Sequence, residues 1–323
     1  MTAHVTSSEL VIGTRQSKLA VWQAEYVAAQ LRELHPGLIV TLRFMMTRGD
    51  RVLDKPLPEI GGKGLFTAEL ETVLHTGEID LAVHSLKDLP TTLDPVFTLG
   101  AIPLRASPFD ALISRSRATF AHLPQGATIG TSSLRRIAQL KAARPDLQTA
   151  LMRGNVPTRI DKGLATDGMY DAIILARAGL DRLELAGHVA ETLDQALMLP
   201  APAQGALGIQ CRVDDTETLA LLTPLDHLPT RIAVEAERAF LQSLDSGCRL
   251  PVAALATIEA DTLTLIGRVI SPDGCQTINV SGQGAATRQG ATTLGSALAQ
   301  QAIALGADIL LAAVQTNIEA GAT

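Results

Sequence analysis

Aromatic residues are scarce in this 323-residue chain: one tryptophan, two tyrosines and six phenylalanines make up 3% of it. Its cores must therefore be aliphatic. Cysteine is rarer still. Cys211, Cys248 and Cys275 are far apart and odd in number, which argues against a disulfide framework and against a thiolate zinc site, whose ligands come in close pairs. No second histidine or cysteine lies at ligand spacing from His84 either, so no metal is expected. A reducing cytoplasm is the compartment this usage predicts. No run of about 18 apolar residues occurs, so no membrane span is expected. The opening MTAHVTSSEL has no basic stretch followed by an apolar core and does not read as a signal peptide. Positive charge is in deficit too, with 27 Lys and Arg against 33 Asp and Glu and a net charge of −6. That argues against general nucleic-acid binding while leaving room for a local cationic site.

What is present is an ordinary globular balance, 46% hydrophobic and 19% charged, in a chain long enough for two or three domains. The pattern predicts a strand over 9–13, a helix over 17–34, a strand over 38–46, a helix over 66–75 and a strand over 79–84. Strands alternating with helices predict a largely parallel α/β sheet. The pattern then repeats. Ile12-Gly13-Thr14 is matched by Ile129-Gly130-Thr131, Arg48-Gly49-Asp50 by Arg153-Gly154-Asn155, and the turn before Asp80 by the turn before Asp171. Two similar α/β domains follow from this, over 9–103 and 109–199, with a ligand cleft between them. A third region, 228–323, begins with a helix over 231–244. It continues through alternating segments at 253–258 and 263–270, joined to later chain by the turn Ser271 to Gly274, and reaches a helix near 294–305. It reads as a small α+β domain with an antiparallel sheet.

The chemistry concentrates in three places. Thr131, Ser132 and Ser133 offer N-cap hydroxyls to a helix whose first turn carries Arg135 and Arg136. Cations are disfavoured at a helix N-terminus unless something negative compensates. Arg15 beside Ser17 stands in an equivalent place at the first helix, and Arg153 and Arg159 flank another strand end. Alone, each reads as a solvated surface arginine; together they point to a shared anion, with carboxylate favoured over nucleotide phosphate because no GxxxxGK[ST] loop is present. Asp88 lies in His84-Ser85-Leu86-Lys87-Asp88-Leu89-Pro90, at the strand end where doubly wound sheets bind ligands. It could stabilise a cation or pass protons, though by itself a carboxylate there reads as a turn or cap. His84 reads as a packed or capping histidine. Cys248 follows a helix in a tight loop beside Arg249, a better place to react than a core, although small buried residue is the usual reading of a free cysteine. Cys211 fits that reading well.

GTRQS at 13–17, TRGD at 47–50, GGKGLF at 61–66, HSLKDLP at 84–90, GTSSLRR at 130–136, RGN at 153–155, YDAIILA at 170–176, AGL at 178–180, PAQGALGI at 202–209 and GCRLP at 247–251 together resemble the porphobilinogen deaminase family. They stand in the family's order across residues 9 to 315. The resemblance implies two periplasmic-binding-protein-like doubly wound α/β domains plus the small α+β C-terminal domain, with residues 204–223 returning to the first lobe. It implies a dipyrromethane cofactor attached by thioether to Cys248. The implied reaction deaminates four porphobilinogen molecules, joins them head to tail on that primer and releases hydroxymethylbilane by hydrolysis, a step of heme biosynthesis. Each pyrrole brings an acetate and a propionate. The resemblance assigns their binding to Arg15, Ser17, Lys63, Lys87, Thr131, Ser132, Ser133, Arg135, Arg136, Arg153, Arg159 and Gln204. Asp88 would hydrogen-bond pyrrole N–H groups and stabilise the azafulvenium cation left when ammonia departs. Phe66 would belong to a lid or stack on a pyrrole. A monomer acting on a small molecule, without nucleic acid or membrane, is expected.

Three positions depart from the family pattern: Lys18 stands where proline is usual, Ser246 where the cofactor loop often has glycine, and Phe109 where a basic residue is common. Two other readings compete. A carboxylate-binding module without catalysis explains the lobes and arginines but not the third domain with Cys248. A cysteine-nucleophile hydrolase needs a histidine base that no motif supplies.

Overall fold

A computed structural model describes residues 9–47, 67–244 and 250–321, with side chains up to 316. Lys63, Phe66, Ser246 and Cys248, with most of the TRGD and all of the GGKGLF motif, lie outside the described residues.

The first sheet begins with β1 (Glu9–Arg15), which buries Leu10 and Ile12. Helix α1 (Lys18–Leu34) follows at once, because Ser17 accepts a bond from the Ala20 amide and caps it. Its Ala24, Val27, Ala28 and Leu31 recur at helical spacing and are buried. Lys18 is exposed at its first position. Gly37, at φ 95°, turns the chain back into β2 (Ile39–Met45), parallel to β1. Helix α2 (Ala68–His75), β3 (Leu81–Ser85) and β4 (Phe97–Ala101) come next. The chain then crosses to a second sheet made of β5 (Asp110–Ser114), β6 (Thr128–Gly130), β7 (Gln148–Ala150), β8 (Ala172–Ala176) and β9 (Glu191–Thr192), with α3 (Leu134–Ala143), α4 (Val156–Leu164) and α5 (Arg177–Arg182). It returns as β10 (Leu207–Arg212).

The strand orders are β2-β1-β3-β10-β4 and β7-β6-β8-β5-β9, one plan used twice. The likeness extends to side chains. Asp80 and Asp171, each just before the third strand of its sheet, accept from the amides of Val11 and Thr128, at 2.7 and 2.8 Å. Arg212 and Arg115 then pair with these carboxylates. Gly13 and Gly130 leave the space filled by Ile79 and by Met152 and Tyr170. The sheets are mixed, where a largely parallel sheet was expected. In each, the fourth strand (β10 or β5) is antiparallel to both neighbours. Both are the strands that follow a crossing between the sheets, so they enter from the opposite end.

After α6 (Thr216–Leu222), the third region opens with α7 (Leu228–Ser243). It starts a turn before the expected 231, since Pro229 is tolerated in a first turn. Strands β11 (Val252–Glu259), β12 (Thr262–Ile270) and β13 (Thr277–Ala285) form an antiparallel sheet. Helices α8 (Arg288–Ala304) and α9 (Ala307–Gly321) complete it. β13 and α9 were not expected, and α8 starts earlier than 294, at the Thr287 cap. Phe240, fully buried, fills the space over Gly267, where an added Cβ would stand 2.5 Å from its ring. Phe109 packs with Leu199, Ala253, Leu255 and Ile266, so the missing cation there is replaced by an apolar contact to the third sheet.

Candidate active site

The two crossings leave a cleft of about 740 Å³ between the first two sheets, closed on one side by Leu241, Leu250 and Val252 of the third region. Arg15, Lys87, Arg135, Arg136, Arg153, Lys162, Arg159 and Arg182 line it, and among the described residues Asp88 is the one carboxylate that does. No histidine lines it among the described residues. No group of His, Cys, Asp or Glu there could hold a metal, again among the described residues.

Each wall is a strand end. β1 delivers Arg15, Gln16 and Ser17. β3 ends in one tight turn, Leu86–Asp88. Leu86 and Leu89 are buried, and Arg238 of α7 donates to the carbonyls of Leu89 and Pro90. With both flanks pinned, Asp88 is left exposed on the cleft. Lys87 is half-buried and donates to Gln204 Oε1 at 3.2 Å. Burial pushes its ammonium down to about 8; Arg136 and Arg135 push the same way, Asp88 and Asp110 oppose them. His84 is buried against Gln210, at 2.9 Å from its Oε1, and does not line the cleft. Cys211 is buried and its thiol is pushed up to about 11, chiefly by burial.

Opposite, Asn155 caps α4 through the Thr158 amide. Arg159 donates from Nε to the Gly154 carbonyl at 2.7 Å. Burial, then Arg136 and Arg153, bring its guanidinium down to about 10, and Asp88 offsets part of this. Arg159, Arg136, Arg153 and Asp88 all line the one cleft. Ser132 donates to the Met152 carbonyl, and Thr131, buried and outside the cleft lining, accepts from the Ser133 amide. Ser133 is the N-cap of α3 but makes no side-chain capping bond.

Two corrections concern the arginines. Arg15 does not occupy the place of Arg135: it precedes the N-cap of α1, whereas Arg135 and Arg136 follow that of α3. The anion that compensates the latter pair is, first of all, internal. Asp110 pairs with Arg135 at 2.8 Å and with Arg136 at 2.7 Å, and all three are buried. Burial opposes ionisation of Asp110, yet the two guanidiniums hold its carboxyl well below the usual range. Both arginines still face the cleft, each with a buried Nε–H that has no partner among the described residues.

The sequence singled out neither Asp110, Lys162 nor Arg182. Lys162 could have been found, three residues beyond Arg159 on the same helix face. Arg182 has no local signal; it donates to the Gly205 carbonyl at 2.7 Å and lies 5.8 Å from the Trp22 ring centroid.

The family model described as porphobilinogen deaminase, dipyromethane cofactor binding domain, matches residues 10–220, and the one described as porphobilinogen deaminase, C-terminal domain, matches 231–304. The porphobilinogen deaminase of Syntrophotalea carbinolica is 51% identical over 310 residues, covering 96% of this chain and 97% of its own length. That of Roseiflexus sp. is 49% identical over 303 residues, covering 94% and 98%. Among solved structures, the methionine-binding protein MetQ aligns over 68% of this chain and 89% of its own, with a TM-score of 0.42 and 13% identity.

Proposed function

The chain belongs to the porphobilinogen deaminase family, and we propose from this that its cationic cleft is where the pyrrole chain is held and extended. The enzyme assembles a linear tetrapyrrole from porphobilinogen on a dipyrromethane cofactor. The observation that carries the site assignment is the cleft itself: eight cationic side chains and a single lining carboxylate among the described residues.

The donor set suits the cofactor. Two linked pyrroles carry four carboxylates, and arginine forks bind such groups in pairs of parallel bonds. Arg135 and Arg136 each retain an Nε–H with no partner among the described residues. Leu241 and Leu250, on either side of the segment that carries Cys248, line the same cleft. Cys248 is therefore assigned as the attachment point, with Arg135, Arg136, Arg153 and Arg159 receiving carboxylates on one wall. Arg15, Ser17 and Lys87 do so on the other, where Gln204, its two amide hydrogens taken by Pro108 and Asp110, holds Lys87 rather than the ligand, and Ser132, Ser133 and Thr131 shape the α3 entry. Lys63 and Phe66 are assigned by their motif. When bound, the cofactor supplies a nucleophilic ring carbon as primer.

The chain's own residues do the rest. Asp88, as the lining carboxylate, accepts pyrrole N–H bonds and offsets the positive charge that develops as ammonia leaves the substrate. The surrounding cations fix the acidic side chains, so the two rings meet in one orientation. Domain boundaries at 9–103 with 204–223, 109–199 and 228–323 are part of this reading, and the two strand plans support them. So are a cytoplasmic, monomeric enzyme and independence from nucleic acid and membranes. No single described helix is long and apolar enough to cross a bilayer, although the bent α8–α9 pair passes by length and composition.

Intact mass of the denatured protein tests the assignment. The wild type, after incubation with porphobilinogen, should carry the mass of two linked pyrroles and Cys248→Ser should not. Asp88→Ala should stay folded while turnover falls by about a hundredfold or more. A bare polypeptide mass in the wild type, or wild-type turnover in Asp88→Ala, would sink it.

A further inference from the structure

Asp110 is fully buried at the first position of β5, in the interior of the second sheet. It accepts from Arg135 on Oδ2 at 2.8 Å and from Arg136 on Oδ1 at 2.7 Å. A third donor, Gln204 Nε2, reaches Oδ1 at 2.9 Å. Gln204 is itself buried, donates also to the Pro108 carbonyl at 2.7 Å, and accepts from Lys87. One unbroken string therefore runs from the turn that holds Asp88 to the arginine pair, crossing between the lobes where the chain itself crosses. We infer that Asp110 is a positioning residue for carboxylate recognition, which fixes the Arg135 and Arg136 guanidiniums and ties them through Gln204 to Lys87. This rests on the reading of Arg135 and Arg136 as binders of pyrrole carboxylates.

Three observations separate this role from that of a plain structural counter-ion. A closed structural triad satisfies its donors. Here each arginine gives one terminal nitrogen to Asp110 and the other to a carbonyl, Leu199 or Ile174, while each Nε–H has no partner among the described residues. One carboxylate between two guanidiniums leaves a net positive charge, so the pair can still attract an anion. Finally, both arginines line the cleft and Asp110 does not. An incoming carboxylate meets the cationic edge with the anion hidden behind it. Two buried like charges would otherwise repel and splay apart; Asp110, bonded to both, holds them side by side.

The test is a set of variants in holoenzyme, with kinetics normalised to the cofactor-loaded fraction read by intact mass. Asp110→Asn keeps the shape and removes the charge. It should lower kcat/KM about tenfold or more. Added to the Arg135→Leu, Arg136→Leu double variant, it should cost little further, because it acts through those two residues. Kinetics of Asp110→Asn within twofold of wild type, or a loss that adds in full to the double variant, overturns the inference. Unchanged kinetics and loading in the double variant overturn the parent reading instead, and the inference with it. If Asp110→Asn fails to fold, Gln204→Leu gives the second measurement: it keeps both ion pairs and cuts the string to Lys87. About a threefold loss is expected, and unchanged kcat/KM overturns the link.

Discussion

An ordinary lysine keeps its charge to about pH 10, but Lys87 is held down near 8, by burial first and by its arginine neighbours second. The sign matters for function. The ammonium exists below about pH 8 and is lost above it, so carboxylate binding by Lys87 weakens as the medium becomes more alkaline. The free-enzyme profile of kcat/KM should fall above about pH 8. Lys87→Arg should carry that limb to higher pH, and Lys87→Met should lower the neutral plateau and remove the limb. A limb that stays in place in Lys87→Arg would assign it to another group.

The elements that build the first lobe share a buried polar string. His84 of β3 meets Gln210 of β10 at 2.9 Å, and Gln210 Nε2 donates to Glu71 of α2 at 3.0 Å. Because that amide nitrogen is a donor, its oxygen accepts from His84 Nε2–H, which fixes the tautomer by the network. Burial lowers the imidazole to about 4; the Gln210 bond opposes this and Arg15 adds to it. The folded lobe thus refuses a proton that the unfolded chain accepts below about 6.5. Stability from the neutral ring is complete above that value and is lost as pH falls toward 4, on the order of 3 kcal/mol in all. The melting temperature should decline across this window, and His84→Gln should flatten that part of the decline. An equally steep decline in the variant would place the sensitivity elsewhere.

Across the whole molecule, one carboxylate joins the parts. Glu237 of α7 is fully buried. It accepts two bonds from Arg105 at 2.7 and 3.0 Å, one from the Ala203 amide at 2.6 Å and one from the Ala256 amide at 2.8 Å. Both crossing segments and the third sheet thereby meet at a single side chain. Removing it takes the acceptor from the two terminal nitrogens of the nearly buried Arg105 guanidinium, whose Nε keeps the Gln204 carbonyl, and from two amides, a loss of about 3–5 kcal/mol. Glu237→Ala should lower the unfolding temperature by several degrees and loosen the third region from the lobes, read as faster hydrogen exchange at Ala203 and Ala256. Unchanged exchange there would show that apolar contacts such as that of Phe109 suffice.

Much of this was legible in the residues, and the limit has a physical cause. Ser17 at the start of α1 and the turns at Gly37 and Gly274 act within a few residues, so the first lobe's elements could be read directly, whereas α4 and its Asn155 cap are seen only in the structure. The matched glycines Gly13 and Gly130 disclosed the duplication, because each leaves room for large side chains that pack over its strand. The motif series located Asp88 and the arginines. Tertiary structure alone decided that β5 and β10 lie antiparallel in their sheets, since a strand's direction depends on where the chain crosses between lobes. It alone placed Asp110 against Arg135, 25 residues away, and against Gln204, 94 away, and brought Arg182 onto the cleft. Caps, turns and periodicity are local forces and leave their mark in local sequence. A buried charge takes its partner from whatever the fold brings within 3 Å, and that is settled only once the sheets have closed.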